Sequence, residues 1–347
     1  MSSETNSPFM AFLSRHDQQA WWSAVHALAP SIHDVDRDAT KIWFHFWPLW
    51  LQRALAEAET NPYVLQGLEL KGNARLSEQI DSSHHFVYGH RFWPQVKAAI
   101  SAHAASQTAP ESLDLTDQIR AVATQVGNES SVDLSLVLGI AAIGFMTLQQ
   151  VGPEAFDAAP GTLHISDWAA RRTPQKALAD RAKNDTGGLL GWLKGLKRDY
   201  TVTFNEGFKT ATFKLIEGVQ LTQASMTDQA DHPYADSRCE PGDGPIPTEC
   251  RSAACGTCWV GVVGGNERLS VVNPLERRRL TRFGYTDTDE ARPLIRLACK
   301  AQASGNVSVV VPPWNAVAGN YLEGKQIAIG GHSASPDEDA VKEPRRH

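Results

Sequence analysis

No basic start followed by an apolar run opens this chain: MSSETNSPFMAFLSRHD has none of the pattern of a signal peptide. The longest apolar stretch, Leu134 to Leu148, is bounded by Asp133 and Gln149. It falls short of the roughly 20 residues a membrane-spanning helix needs, so it reads as a buried core helix. With no transmembrane segment and no leader, the sequence predicts a cytoplasmic protein. Charge of one sign is also lacking. A formal net charge of −6 argues against nucleic acid or an anionic membrane surface as the main partner.

Cysteine is scarce, at five in 347 residues, which is no disulfide framework. Four of the five fall between positions 239 and 258. In a reducing compartment such crowding points to metal more than to disulfides. The remaining composition, 42% apolar and 21% charged, is that of an ordinary folded protein, long enough for two domains.

The character of the chain changes near residue 200. Before it, apolar residues recur at helical spacing and tryptophan is frequent. Helices are expected over Gln18 to Leu28, Asp36 to Ala58, Ser77 to Ala105, Leu115 to Val126 and Ser131 to Val151. Pro48 and Pro94 must each start or kink a helix. Phe46-Trp47-Pro48 recurs as Phe92-Trp93-Pro94, consistent with either an old duplication or chance. Trp43, Trp47 and Trp50 fall on one helix face, which reads as core, with Trp21, Trp22 and Trp93 completing it.

After residue 200, short β-branched runs alternate with Gly and Pro turns. Tyr200 to Phe204 and Ala211 to Ile216 predict a hairpin. A helix over Gln220 to Gln229 and a Gly/Pro loop from His232 to Thr248 follow. A strand over Trp259 to Val263, a basic helix over Pro274 to Phe283 and a closing strand over Val307 to Val311 complete the pattern. The expected division is a helical domain over 1–185, a linker over 186–198, a second domain over 199–313 and a polar, disordered tail over 314–347.

The chemistry lies in Cys250-Arg-Ser-Ala-Ala-Cys255-Gly-Thr-Cys258 and in Cys299, inside Leu297-Ala-Cys-Lys. A C-x4-C-x2-C run with a distant fourth cysteine is the plant-type [2Fe–2S] spacing. Two irons need four thiolates; a tight loop of small residues supplies three and turns its N–H groups onto the sulfurs. Structural zinc usually takes two C-x2-C-like pairs, whereas here the fourth cysteine stands alone. Cys239 is left over, as a small buried side chain, a spare ligand or a redox-sensitive thiol.

On these residues the region 199–313 resembles a plant-type ferredoxin domain with the β-grasp fold. The resemblance covers about a third of the chain. It implies an α+β fold behind an all-α N-terminal domain, a [2Fe–2S] cofactor on Cys250, Cys255, Cys258 and Cys299, and one-electron transfer between redox partner proteins. Two departures stand out. Ala253 occupies a position that is normally glycine, where a left-handed backbone costs alanine about 1–2 kcal/mol. The span from Cys258 to Cys299 is also longer, the excess falling in the basic helix and the loop Tyr285 to Arg292.

The helical part offers no flavin or nicotinamide fingerprint, since GGLLG at 187–191 follows no strand. It has neither Glu-x-x-His pairs nor H-E-x-x-H, and it resembles no family. His45, His85 and His90 are the candidates for haem ligation. The leading expectation is an electron carrier that its helical domain docks to a partner, with Arg277, Arg278, Arg279 and Arg282 as a positive patch. The alternatives are an enzyme whose helical domain binds a substrate or haem reduced through the cluster, and a redox-sensing scaffold.

Overall fold

A computed structural model describes residues 7–106, 114–184, 199–285 and 290–324. The linker expected over 186–198, the middle of the loop expected over 285–292 and the tail beyond 324 lie outside the described residues.

The N-terminal part is all helical but for one two-residue strand. It runs through α1 (Pro8–Leu13), α2 (Gln18–Leu28), α3 (Asp34–Phe46), α4 (Leu49–Thr60), α5 (Tyr63–Gly67) and β1 (Lys71–Gly72). It continues through α6 (Trp93–Ala105), α7 (Leu115–Ser130), α8 (Ser135–Ala158), α9 (Asp167–Ala170) and α10 (Pro174–Ala182). Helix starts follow local chemistry: Asp17 accepts the Ala20 N–H at 2.8 Å to cap α2, and Thr173 caps α10 ahead of Pro174.

Expected helices were interrupted where prolines and distant contacts intervene. The run 36–58 breaks at Pro48, whose extended backbone starts α4. Only the end of the run 77–105 is an α-helix. Residues 76–92 instead form turns and two short 3-10 segments, because the buried carboxylate of Asp36 captures the N–H groups of Tyr88 (2.6 Å) and Gly89 (2.7 Å).

Helix α8 is longer than its apolar run suggested. It reaches Ala158 across a kink at Gly152 (φ 79°, ψ 163°), where the following Pro153 disfavours helical backbone. By length and composition it is the one described helix able to cross a membrane, but 72% of its apolar window is buried inside the protein. Trp21, Trp43, Trp47 and Trp93 are fully buried around it, but the stripe expected on one helix face is divided, since α3 ends at Phe46 and Trp50, on α4, is only partly buried.

The C-terminal part contains β2 (Asp199–Thr203), β3 (Thr212–Ile216), α11 (Leu221–Thr227), β4 (Trp259–Gly264), α12 (Pro274–Arg282), β5 (Ile295–Leu297) and β6 (Val307–Val310). The strands form one mixed sheet in the order β3-β2-β6-β4-β5, parallel between β2 and β6 and antiparallel elsewhere.

The first residues of the expected tail belong to the fold. They form β7 (Trp314–Asn315) and α13 (Gly319–Leu322). Trp314 is fully buried, and β7 pairs with β1 of the helical part. An apolar indole that can bury itself outweighs the polar composition around it.

Helix α3 lies directly on β4. A Cβ at Gly261 would stand 2.4 Å from Ile42 Cγ2 and 3.1 Å from Phe46 Cζ, so only glycine permits this approach. The Trp259 indole donates to the Trp314 carbonyl at 2.6 Å, and the Trp314 indole donates to the Phe46 carbonyl at 2.8 Å. On the other side of the junction Arg181 clasps Glu206 at 2.8 and 3.0 Å and donates to the Val35 carbonyl.

Candidate metal centre

The loop that carries three of the cysteines is fixed before it begins. Ser225 at the end of α11 donates to the Asp243 carbonyl at 2.8 Å and accepts the Ile246 N–H at 3.1 Å. Asp243 in turn accepts from Glu240 N and Thr248 N. From Cys250 onward the backbone curls tightly, with φ of 52° at Arg251, 68° at Ala253 and 74° at Gly256. Ala253 thus adopts the left-handed conformation expected of it. Ala253→Gly should stabilise the folded protein by about 1–2 kcal/mol. Urea unfolding reads this directly, and a loss of stability would show that the buried methyl outweighs the strain.

The curl turns backbone N–H groups onto sulfur. Ala254 N and Cys255 N lie 3.2 and 3.4 Å from the Cys250 sulfur. The Cys250 and Cys255 sulfurs are 3.2 Å apart. Cys258, directly before β4, comes close to Cys299, just past β5, where Trp259 pairs with Leu297 and each thiol shifts the acidity of the other. That register is held by the Ala298 N–H, which donates to the Cys258 carbonyl at 2.9 Å.

The four cysteines thus fall into two pairs, Cys250 with Cys255 and Cys258 with Cys299. Cys258 and Cys299 are buried, while Cys250 and Cys255 are half-buried beside exposed Arg251, Ser252 and Ala254. Among the described residues no group of three or more His, Cys, Asp or Glu is gathered closely enough to hold a metal ion. Zinc needs four donors around one point, whereas a binuclear cluster takes two on each iron.

The thiols differ in acidity. Burial opposes ionisation of Cys250, but hydrogen bonds from Ser252 and Cys255 prevail and hold it down at about 7. The hydrogen bond within the other pair pushes Cys258 up and Cys299 down. Cys239 stands outside both pairs. Burial, reinforced by Asp236 and Asp243, pushes its thiol up to about 12, which keeps it protonated and matches an inert, partly buried side chain.

Several supporting residues gave no sequence signal. Glu276 on α12 and Arg296 on β5 form a fully buried, two-pronged ion pair at 2.8 and 2.9 Å. Glu276 also accepts the Leu297 N–H at 3.0 Å, directly before the Ala298-Cys299 step. Phe283 lies across the loop, 3.3 Å from where a Cβ on Gly256 would sit. Tyr285 stacks on Trp259, with ring centroids 4.7 Å apart. Only the Leu-Ala-Cys flank hinted at such a surrounding. Of the arginines on α12, Arg278 and Arg282 are exposed while Arg277 and Arg279 are half-buried.

The candidate haem histidines are separated. His85 and His90 border a cavity of about 90 Å³, far below the 300–1,000 Å³ of a typical cofactor site. His90 instead meets His84, Nδ1 to Nδ1, at 2.9 Å. Burial and the neighbouring His85 depress His90 to about 4, so it stays neutral at physiological pH. His45 borders a different space, an open cleft of about 1030 Å³ between α2, α4 and the segment after α12. No protein-family model, no curated protein and no solved structure matches the chain, so the chemistry of the site has to be derived from its own residues.

Proposed function

We propose that the chain is a one-electron transfer protein whose four cysteines hold a [2Fe–2S] cluster, with Cys250 and Cys255 on one iron and Cys258 and Cys299 on the other. The observation that carries this reading is the grouping of the sulfurs into two pairs, one of them receiving backbone N–H groups. The sheet order supports a β-grasp, ferredoxin-type fold for this part, with the strands β2 and β6 side by side and parallel at its middle.

A bound cluster supplies a site that gains or loses a single electron without moving atoms far. The residues around it do the rest. Backbone N–H groups of Ala254 and Cys255 stabilise negative charge on sulfur. Ala253, Phe283 and Ala298, all buried, keep water away. Exposed Arg251, Ser252 and Ala254 leave the Cys250–Cys255 edge open to a redox partner, and Arg278 and Arg282 offer an acidic partner a positive surface.

Protein purified without air should contain iron and acid-labile sulfide in equal amounts, about two of each per chain. On reduction it should give the rhombic EPR signal of a single unpaired electron. Zinc without sulfide would overturn the proposal.

A further inference from the structure

The cleft at the domain junction is lined by Gln18, Trp22, Phe44, His45, Trp50 and Tyr285, among others. At about 1030 Å³ it is at the upper end of small-molecule sites. Its aromatic walls favour a flat π-system: the Trp22 ring lies 4.5 Å from His45, and His45 lies 6.4 Å from Tyr285. Its polar groups include donors. The Gln18 amide oxygen is engaged by the Leu49 N–H at 2.6 Å, while its amide nitrogen, buried in the wall, has no hydrogen-bond partner in the protein. Burial drives the Tyr285 hydroxyl well above its ordinary pKa, so it too stays protonated.

The same wall reaches the cysteine site twice. Tyr285 stacks on Trp259, the residue after Cys258. Two residues earlier, Phe283 packs against Gly256 inside the cysteine loop. One short segment, 283–285, is thus shared by the cleft and the loop.

We propose that the cleft binds a planar aromatic dicarbonyl of the quinone class, and that Tyr285 and Trp259 form the contact between this ligand and the cysteine site. This rests on the cluster reading. Conversion of a quinone to its hydroquinone takes two electrons and two protons. The electrons come singly from a low-potential reductant outside the chain, the protons come from water entering the open cleft, and the protein ends unchanged.

Duroquinone is the probe, because its ring is fully methylated and does not add thiols. With protein prepared without air, equilibrium dialysis should show saturable binding of a single molecule. Trp50→Ala and Ser23→Trp, the latter filling the cleft from an exposed position, should each weaken binding about two- to tenfold and leave iron and sulfide unchanged. Oxidation of the dithionite-reduced protein should saturate over the same concentrations, and Tyr285→Leu should lower the rate at saturation more than it alters dialysis. Intact iron and sulfide with no saturable binding, or a rate that rises linearly with duroquinone in every variant, would overturn the inference alone. A Soret band in the purified protein would put haem in the cleft and overturn it as well. Protein with neither iron nor sulfide would overturn the cluster reading, and with it the redox half of this inference.

Discussion

Replacing Glu276 by alanine should lower the free energy of unfolding by about 3–5 kcal/mol, the cost of breaking a buried ion pair from one side. Neither side chain of the Glu276–Arg296 pair has any solvent exposure. Without the carboxylate, the Ser270 carbonyl at 2.8 Å is the one hydrogen-bond partner left to the Arg296 guanidinium among the described residues, and the Leu297 N–H loses its acceptor. Leu297 leads into Cys299, so retention of iron should fall together with stability. Glu276→Leu combined with Arg296→Met should recover most of the loss, since apolar packing often replaces such a pair at no net cost. Urea unfolding measures both, provided the slope of the transition is unchanged. A loss below about 1 kcal/mol for Glu276→Ala would mean that water reaches the pair.

The next largest effect is one of pH. Burial raises the Asp36 carboxyl from 3.8 to about 6, against the lowering effect of the Gly89 and Tyr88 N–H bonds. Between those two values the folded chain holds a proton that the unfolded chain has released. The resulting stabilisation is complete below about pH 4 and is lost as pH rises through 6. A difference of this size is worth about 3 kcal/mol in all, of which about 1 kcal/mol falls between pH 5 and 7. Asp36→Asn should be flat over that window where the parent protein declines. The readout is the difference in unfolding free energy between the two proteins at each pH, which cancels effects they share. If that difference does not change with pH, Asp36 titrates like an exposed carboxyl.

The pairing of Cys250 with Cys255 was legible in the sequence because three of the cysteines sit within one loop, where spacing alone fixes what they can reach. The left-handed strain at Ala253 was legible for the same local reason. Strands β2, β3, β4 and β6 were found as short β-branched runs between turn residues, whereas β5, three residues long, carries too little sequence to detect. The turns over 76–92 were missed because what dictates them is Asp36, far away in the chain. Glu276 and Arg296 stand 20 positions apart with no local pattern that links them. Only folding shows that they face each other. The cleft was invisible for a related reason, since its walls come from α2, α4 and the segment after α12.

The indole relay from Trp259 through Trp314 to Phe46, with the β1–β7 pairing beside it, has a consequence for modularity. A fragment spanning residues 199–313, the division that composition suggests, would sever the relay. It would leave Trp259 without its acceptor and β4 without the helix that shields Gly261. The part that carries the four cysteines is therefore not portable: it depends on the helical part for its packing, and the two stand to be inherited, exchanged or lost together.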